Sequence, residues 1–329
     1  MELRGKTALV TGGCGLLGST IADQLVAEGI GRVVIIDNLT RGTLLNIEQA
    51  RKHGKVELVQ KDVRNAEGIR PHFDGVDVVF HQAAIRITAC AEKPRECLEV
   101  LVDGTFNVLE ACAEAGVKRV IAASSASIYG AAEVFPTRED HHPYGNRTIY
   151  GASKIANEGM LRSFHDMYGL PYVALRYFNV YGPRMDVFGK YTEVLIRWLD
   201  CLDRDERPKI FGDGSASMDF VFSEDVARAN ILAAKSEISD EVLNVASGTE
   251  TTLLELLETL LEVMGRSDVK PEFQEERKVN PVPRRLADTS KAEQAIGFRA
   301  RVDLREGLRR LVAWRKEAIA ASQWKEYAT

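Results

Sequence analysis

An eight-residue turn does most to limit what this chain can fold into. Residues 11–18 read Thr-Gly-Gly-Cys-Gly-Leu-Leu-Gly, between the strand-like run Lys6–Thr11 and the helical pattern Leu16–Glu28. Each glycine has its own task in a strand–turn–helix unit that holds a dinucleotide. Gly12 permits the tight turn, Gly15 lets a pyrophosphate approach the backbone, and Gly18 lets the helix pack on the strand. The helix start at Leu16, Leu17 and Gly18 then offers free N–H groups and a partial positive charge to phosphate. Asp37 ends the second apolar run, 19 residues after Gly18. There a carboxylate can accept from both ribose hydroxyls and would repel a 2′-phosphate, so NAD is expected rather than NADP.

The unit is repeated in kind. Further β-branched runs fall at Arg32–Asp37, Val56–Asp62, Val76–His81, Arg119–Ser124 and Tyr172–Tyr177, with helical patterns at Glu96–Ala115 and Thr148–Tyr168. Strands alternating with helices imply right-handed crossovers and a parallel sheet covered on both faces. Val33-Val34-Ile35-Ile36 is apolar without alternation, as a strand buried on both faces requires. The expected fold is α/β, a Rossmann-type doubly wound parallel sheet. Beyond about residue 180 the alternation weakens. A helix near Tyr191–Leu202, a Pro- and Gly-punctuated stretch, strands at Asp219–Phe222 and Val242–Val245 and a helix at Leu253–Met264 follow. Thr252 and Glu255 form a capping box at the last of these. We expect residues 1–180 to bind the cofactor. Residues 181–329 should form a smaller mixed α/β region that mainly binds substrate, with the chain crossing between the two.

Composition excludes several classes. With 45% hydrophobic and 28% charged residues the chain is neither disordered nor fibrous. The net charge of −5 provides no basic field for nucleic acid. No apolar run is long enough to cross a membrane. Met1–Val10 lacks the apolar core of a signal peptide. The five cysteines, Cys14, Cys90, Cys97, Cys112 and Cys201, form no Cys-x-x-Cys and lie in apolar segments. We read them as free buried thiols of a cytoplasmic protein, and expect no metal.

The chemistry is expected at the ends of the later strands. Tyr150 and Lys154 stand four residues apart, on one helix face. An ammonium lowers the phenol pKa, which makes the tyrosine a base towards an alcohol near neutral pH. Ser125, at the end of the fifth run, can bond the same substrate oxygen. Asp62 either meets the adenine amino group or stands as a solvated loop residue. His81 reads as a packed histidine, and Gln82, Ala83 and Ala84 supply small groups where the cofactor backbone passes.

With these residues together, the chain resembles an extended short-chain dehydrogenase/reductase of the nucleotide-sugar epimerase/dehydratase family. The resemblance runs over nearly the whole chain. It rests on Thr11–Gly18, Asp37-Asn38-Leu39, Asp62-Val63-Arg64, His81–Ala84, Ser124–Gly130, Tyr150–Lys154, Arg176-Tyr177-Phe178-Asn179, Gly182-Pro183-Arg184, Phe211-Gly212-Asp213-Gly214 and Ala287-Asp288. It implies a triad of Ser125, Tyr150 and Lys154. It implies NAD held through Asp37, Asn38, Asp62, Val63, Gln82, Ala83, Ala84 and Tyr177, besides the glycine turn and the triad. It also implies a nucleotide diphosphate at Asn179 and a base beside Phe211. Two positions depart from the family pattern: Met218 stands where a diphosphate-binding Arg is frequent, and Leu101 where Asn is frequent. Arg277, in the basic segment Glu275–Arg285, can replace the first. Arg184 can take the diphosphate or a sugar carboxylate, or lie on the surface.

Within the family, elimination of water needs a second acid/base pair after the catalytic Ser, and decarboxylases resemble the dehydratases there in keeping a Glu. This chain has Ala126 and Ser127. The resemblance therefore implies a UDP-sugar 4-epimerase, acting on UDP-glucuronate or UDP-glucose. It also implies a homodimer, built on Leu98, Leu101, Val102 and Phe106 of one helix and Met160, Phe164 and Met167 of another.

Overall fold

The computed structural model describes residues 1–187, 193–276 and 282–320. Seven strands make the main sheet: β1 (Thr7–Thr11), β2 (Arg32–Asp37), β3 (Val56–Gln60), β4 (Val78–His81), β5 (Arg119–Ser125), β6 (Tyr172–Tyr177) and, from much later in the chain, β10 (Glu241–Val245). Their order is β3-β2-β1-β4-β5-β6-β10, and every pairing is parallel. Val33 to Ile36 have no exposed surface, so the unalternating run is a strand covered on both faces. Two apolar clusters fill the two faces. One contains Ile21, Leu25 and Ala229, and the other Val108, Leu161 and Phe164.

The smaller structure consists of β7 (Asn179–Tyr181), β9 (Ser217–Phe222) and β11 (Glu250–Thr252) in one sheet, and β8 (Lys209–Phe211) with β12 (Glu272–Gln274) in another. Trp198, Leu256, Leu260 and Leu311 centre a third core beneath them. The chain returns to the first body between these sheets. Helix Ser223–Lys235 packs beside Leu16–Ala27, where Gln24 donates to the Glu224 carbonyl, and β10 follows it into the main sheet.

Local signals explain the helix ends. Thr148 caps helix Ile149–Tyr168 by accepting from Gly151 N, and Gly169 ends it in the left-handed conformation. Thr252 and Glu255 close the expected capping box on Leu253–Met264. The expected helix over 96–115 is instead broken. Pro94–Leu98 runs into a wide turn at Glu99–Asp103 before Gly104–Glu114. Such a one-turn bulge lets Leu101 pack with Cys90 and Cys97 against Tyr150.

The expectation of five free thiols is corrected in part. Cys90 and Cys97 form a disulfide, with Cα atoms 4.9 Å apart across the corner between helices Ile87–Glu92 and Pro94–Leu98. Cys14, Cys112 and Cys201 are free. No helix among the described residues is long and apolar enough to cross a membrane.

Candidate active site

Parallel strands leave their C-terminal ends on one edge, and a crevice opens where the order turns outward from β1 and β4. A cavity of about 650 Å³ occupies this edge. It is lined from the main sheet by the glycine turn, Asp37, Asp62, Gln82 and Ser125, and from the smaller structure by Asn179, Arg184, Phe220 and Arg285.

The cofactor end fits NAD. Gly12 has φ +65° and sits so close to Ala83 that a Cβ would lie 2.8 Å from its N. A Cβ on Gly18 would lie 2.3 Å from the Gly12 carbonyl oxygen, so only glycine lets this helix meet the turn. Gly15 differs. A Cβ there would meet only the Gly12 carbonyl oxygen, at 3.4 Å, so protein packing does not demand glycine. The vacant space belongs to the cavity, where a pyrophosphate would lie against the helix start. Asp37 is buried and accepts from Cys14 N at 2.9 Å and Leu39 N at 2.8 Å. These bonds aim its carboxylate, whose remaining lone pairs suit ribose hydroxyls. Asp62 accepts from Arg64 and Asn38, which hold it at about 2, well below the ordinary aspartate value. Leu16, Leu17, Asn38, Val63, Ala83, Ala84 and Tyr177 also line the cavity. Tyr177 donates to Gln82, and Gln82 to Asn230, which fixes both cavity-lining side chains from behind.

The expected triad assembles. Ser125 ends β5, and its Oγ accepts from Ser127 N at 3.1 Å. Tyr150 and Lys154 project from the first turns of helix Ile149–Tyr168. Lys154 Nζ donates to the Ala123 carbonyl at 2.7 Å and lies 5.9 Å from the Tyr150 ring centre. Burial lowers Lys154 to about 8, with Glu158 opposing. Burial pushes the Tyr150 phenol above its ordinary value, against the Ser125 hydroxyl and the Arg285 guanidinium. The sequence pattern credits Lys154 with lowering the phenol. In the structure the Arg285 guanidinium also favours the ionised phenol, and Lys154, 5.9 Å from the ring centre, is bonded to a strand carbonyl.

His81 is a packed histidine, held between Thr11 and Thr105 at 2.7 and 2.9 Å, and burial drives it down to about 3. Ser127 is buried and lines the cavity beside Ser125, and Asn179 lines it from β7. Arg184 lines it too, with Nη2 committed to Asp23 at 2.6 Å. The cavity does not extend to Phe211, which stands 38% exposed on β8. Arg277 lies outside the described residues. Met218 is half-buried on β9 and is not in the cavity lining. Sequence reasoning missed Arg285, which was lost within a basic segment. The available signal was the pair Arg284-Arg285 in an extended stretch, where one side chain must face inward.

Residues 8–246 match the model of the NAD dependent epimerase/dehydratase family. The chain is 35% identical over 308 residues to a UDP-glucose 4-epimerase of Mycolicibacterium smegmatis, covering 92% of this chain and 96% of the relative. It is 30% identical over 324 residues to a UDP-N-acetyl-alpha-D-glucosaminuronate decarboxylase of Bacillus cytotoxicus, covering 95% and 98%. Among solved structures it superposes with TM-score 0.89 and 34% identity on a UDP-N-acetylglucosamine 4-epimerase of Methanobrevibacter ruminantium, in complex with UDP-N-acetylmuramic acid. That match covers 95% of this chain and 99% of the other.

Proposed function

Since the chain belongs to the NAD-dependent epimerase/dehydratase family, we propose that it interconverts the C4 epimers of a UDP-sugar, UDP-glucuronate or UDP-glucose. The observation that carries this reading is the make-up of the catalytic corner. Ser125, Tyr150 and Lys154 meet there, while Ala126 and Ser127 occupy the positions where elimination would require an acid. One proton-transferring phenol suffices for oxidation and reduction at the same carbon.

NAD, when bound, supplies reversible hydride acceptance at sugar C4. The protein's own work is proton transfer and positioning. With the positive charge of the nicotinamide ring added to that of Arg285 to offset burial, Tyr150 as phenolate would take the proton from the 4-hydroxyl, and the Ser125 hydroxyl would bond the same oxygen as it becomes a carbonyl. Lys154, tethered to Ala123, keeps a positive charge near the nicotinamide and ribose positions. After the 4-keto sugar turns over within the cavity, Tyr150 would return the proton to the 4-oxygen as the hydride goes back to C4, so no net oxidation occurs. Incubation with UDP-glucose, UDP-N-acetylglucosamine and UDP-glucuronate separately, resolving both C4 epimers, tests the reading. A C4 epimer with no accumulated NADH is expected. Release of CO₂ or a dehydrated sugar as the main product overturns it.

The active unit is a homodimer in this reading. Leu98, Phe106, Ile149, Met167 and Tyr168 are large apolar side chains left exposed on and beside helices Gly104–Glu114 and Ile149–Tyr168. Of the residues expected there, Leu101 and Phe164 are buried, and Phe164 supports Phe106 from below at 5.6 Å between ring centres. A second copy of the same face would cover this patch. Sedimentation at micromolar concentration checks it, and a clean monomer removes the dimer.

A further inference from the structure

Arg284 and Arg285 lie on the extended segment that runs beside β9, where Arg285 N donates to the Ser217 carbonyl at 2.9 Å. Neighbouring side chains of an extended chain leave on opposite faces. Arg284 turns outward, and its Nε–Nη2 edge takes both carboxylate oxygens of Glu250, at 2.7 and 2.8 Å. Arg176 gives the same edge to both oxygens of Glu158. Arg285 turns into the cavity beside Tyr150. Its Nε and Nη2 are buried and have no hydrogen-bond partner among the described residues.

A guanidinium held away from water with its two-pronged edge unfilled is costly unless a partner arrives. That edge matches the spacing of two carboxylate or two phosphate oxygens. Position decides between them. Ala287, two residues on and so on the same side of the extended segment, packs with Ala126, the neighbour of Ser125, and Arg285 lines the cavity with Ser125 and Tyr150, so its guanidinium stands at the corner where the sugar must lie. Arg184, the other arginine considered for this task, already spends its Nη2 on Asp23. We propose that Arg285 is a specificity-determining residue whose free Nε–Nη2 edge receives a carboxylate carried by the sugar of the nucleotide-sugar substrate. The inference rests on the nucleotide-sugar reading above. It selects UDP-glucuronate over UDP-glucose.

The test separates recognition from turnover. In the NAD-bound Tyr150→Phe protein, the affinities of UDP, UDP-glucose and UDP-glucuronate are measured by calorimetry with and without Arg285→Gln. UDP-glucuronate binding is expected to weaken by at least about 30-fold, the loss typical of a buried charge pair, and the other two by much less. Arg285→Lys, which keeps the charge without the fork, should recover only part of the loss. An equal loss for all three ligands assigns Arg285 to the diphosphate and overturns the proposal, as does an unchanged affinity for UDP-glucuronate. Turnover of the Tyr150-containing protein is a separate arm. If it epimerises no nucleotide sugar, the epimerase reading fails, while the binding arm still decides the role of Arg285.

Discussion

The two walls of the cavity are built differently. On the main-sheet wall the key polar groups already have protein partners: Lys154 on Ala123, Ser125 on Ser127 N, Asp37 on Cys14 N and Leu39 N. On the opposite wall Arg285 has two donors with no partner among the described residues. The difference teaches where chemistry and recognition reside. A fixed constellation suits a cofactor and a proton transfer that do not change from sugar to sugar. Unfilled donors suit the part of the ligand that varies.

Replacing Tyr150 by Phe attacks the first wall where the effect is largest. Turnover should drop by at least about 10²-fold while NAD stays bound, since only the acid/base oxygen is removed. Near-normal turnover would move the chemistry elsewhere. Asp37→Ala comes next. It removes a charged acceptor for the ribose, and NAD affinity measured by fluorescence titration should weaken about tenfold or more. An unchanged affinity would mean that the ribose is held by other groups. Arg184→Ala probes the second wall more gently. Because Arg184 is paired with Asp23, its loss should reduce kcat/KM for UDP-glucose and UDP-glucuronate alike, by about tenfold or less. A selective loss with the uronate would return the carboxylate to Arg184 and blunt the contrast with Arg285.

The smallest effect is a shift in pH dependence. Arg285 favours the ionised form of Tyr150. Without it the phenol pKa rises, so the base form appears only at higher pH. For Arg285→Gln with UDP-glucose, the rising limb of the rate should move upward, by about one pH unit or less. A limb that stays in place would leave Arg285 with recognition alone, and a downward shift would contradict the placement of its charge.

Much of the first wall is legible in the amino-acid sequence. The glycine turn, the unalternating strands and the Tyr150–Lys154 spacing are local patterns. Each is set by the geometry of one turn, one strand or one helix face. Leu253–Met264 carries its own start signal in Thr252 and Glu255. The second wall is less readable, and two particulars show why. Phe211, expected at the nucleotide base, stands on β8, whose place is set by pairing with the distant β12. Cys90 and Cys97 lack a recognisable motif, and only the corner between two short helices makes them partners.

The sequence by itself determined the parallel α/β core and its glycine turn, and placed Ser125 at a strand end and Tyr150 and Lys154 on one helix face, because short-range periodicity and turn chemistry dictate them. Tertiary structure alone decided that Arg184 closes on Asp23, that Lys154 turns to a strand carbonyl, and that Arg285 rather than Arg284 faces the phenol. Those outcomes depend on which distant segments pack together. Arg284 gives its two-pronged edge to Glu250, while that of Arg285 remains available to a ligand.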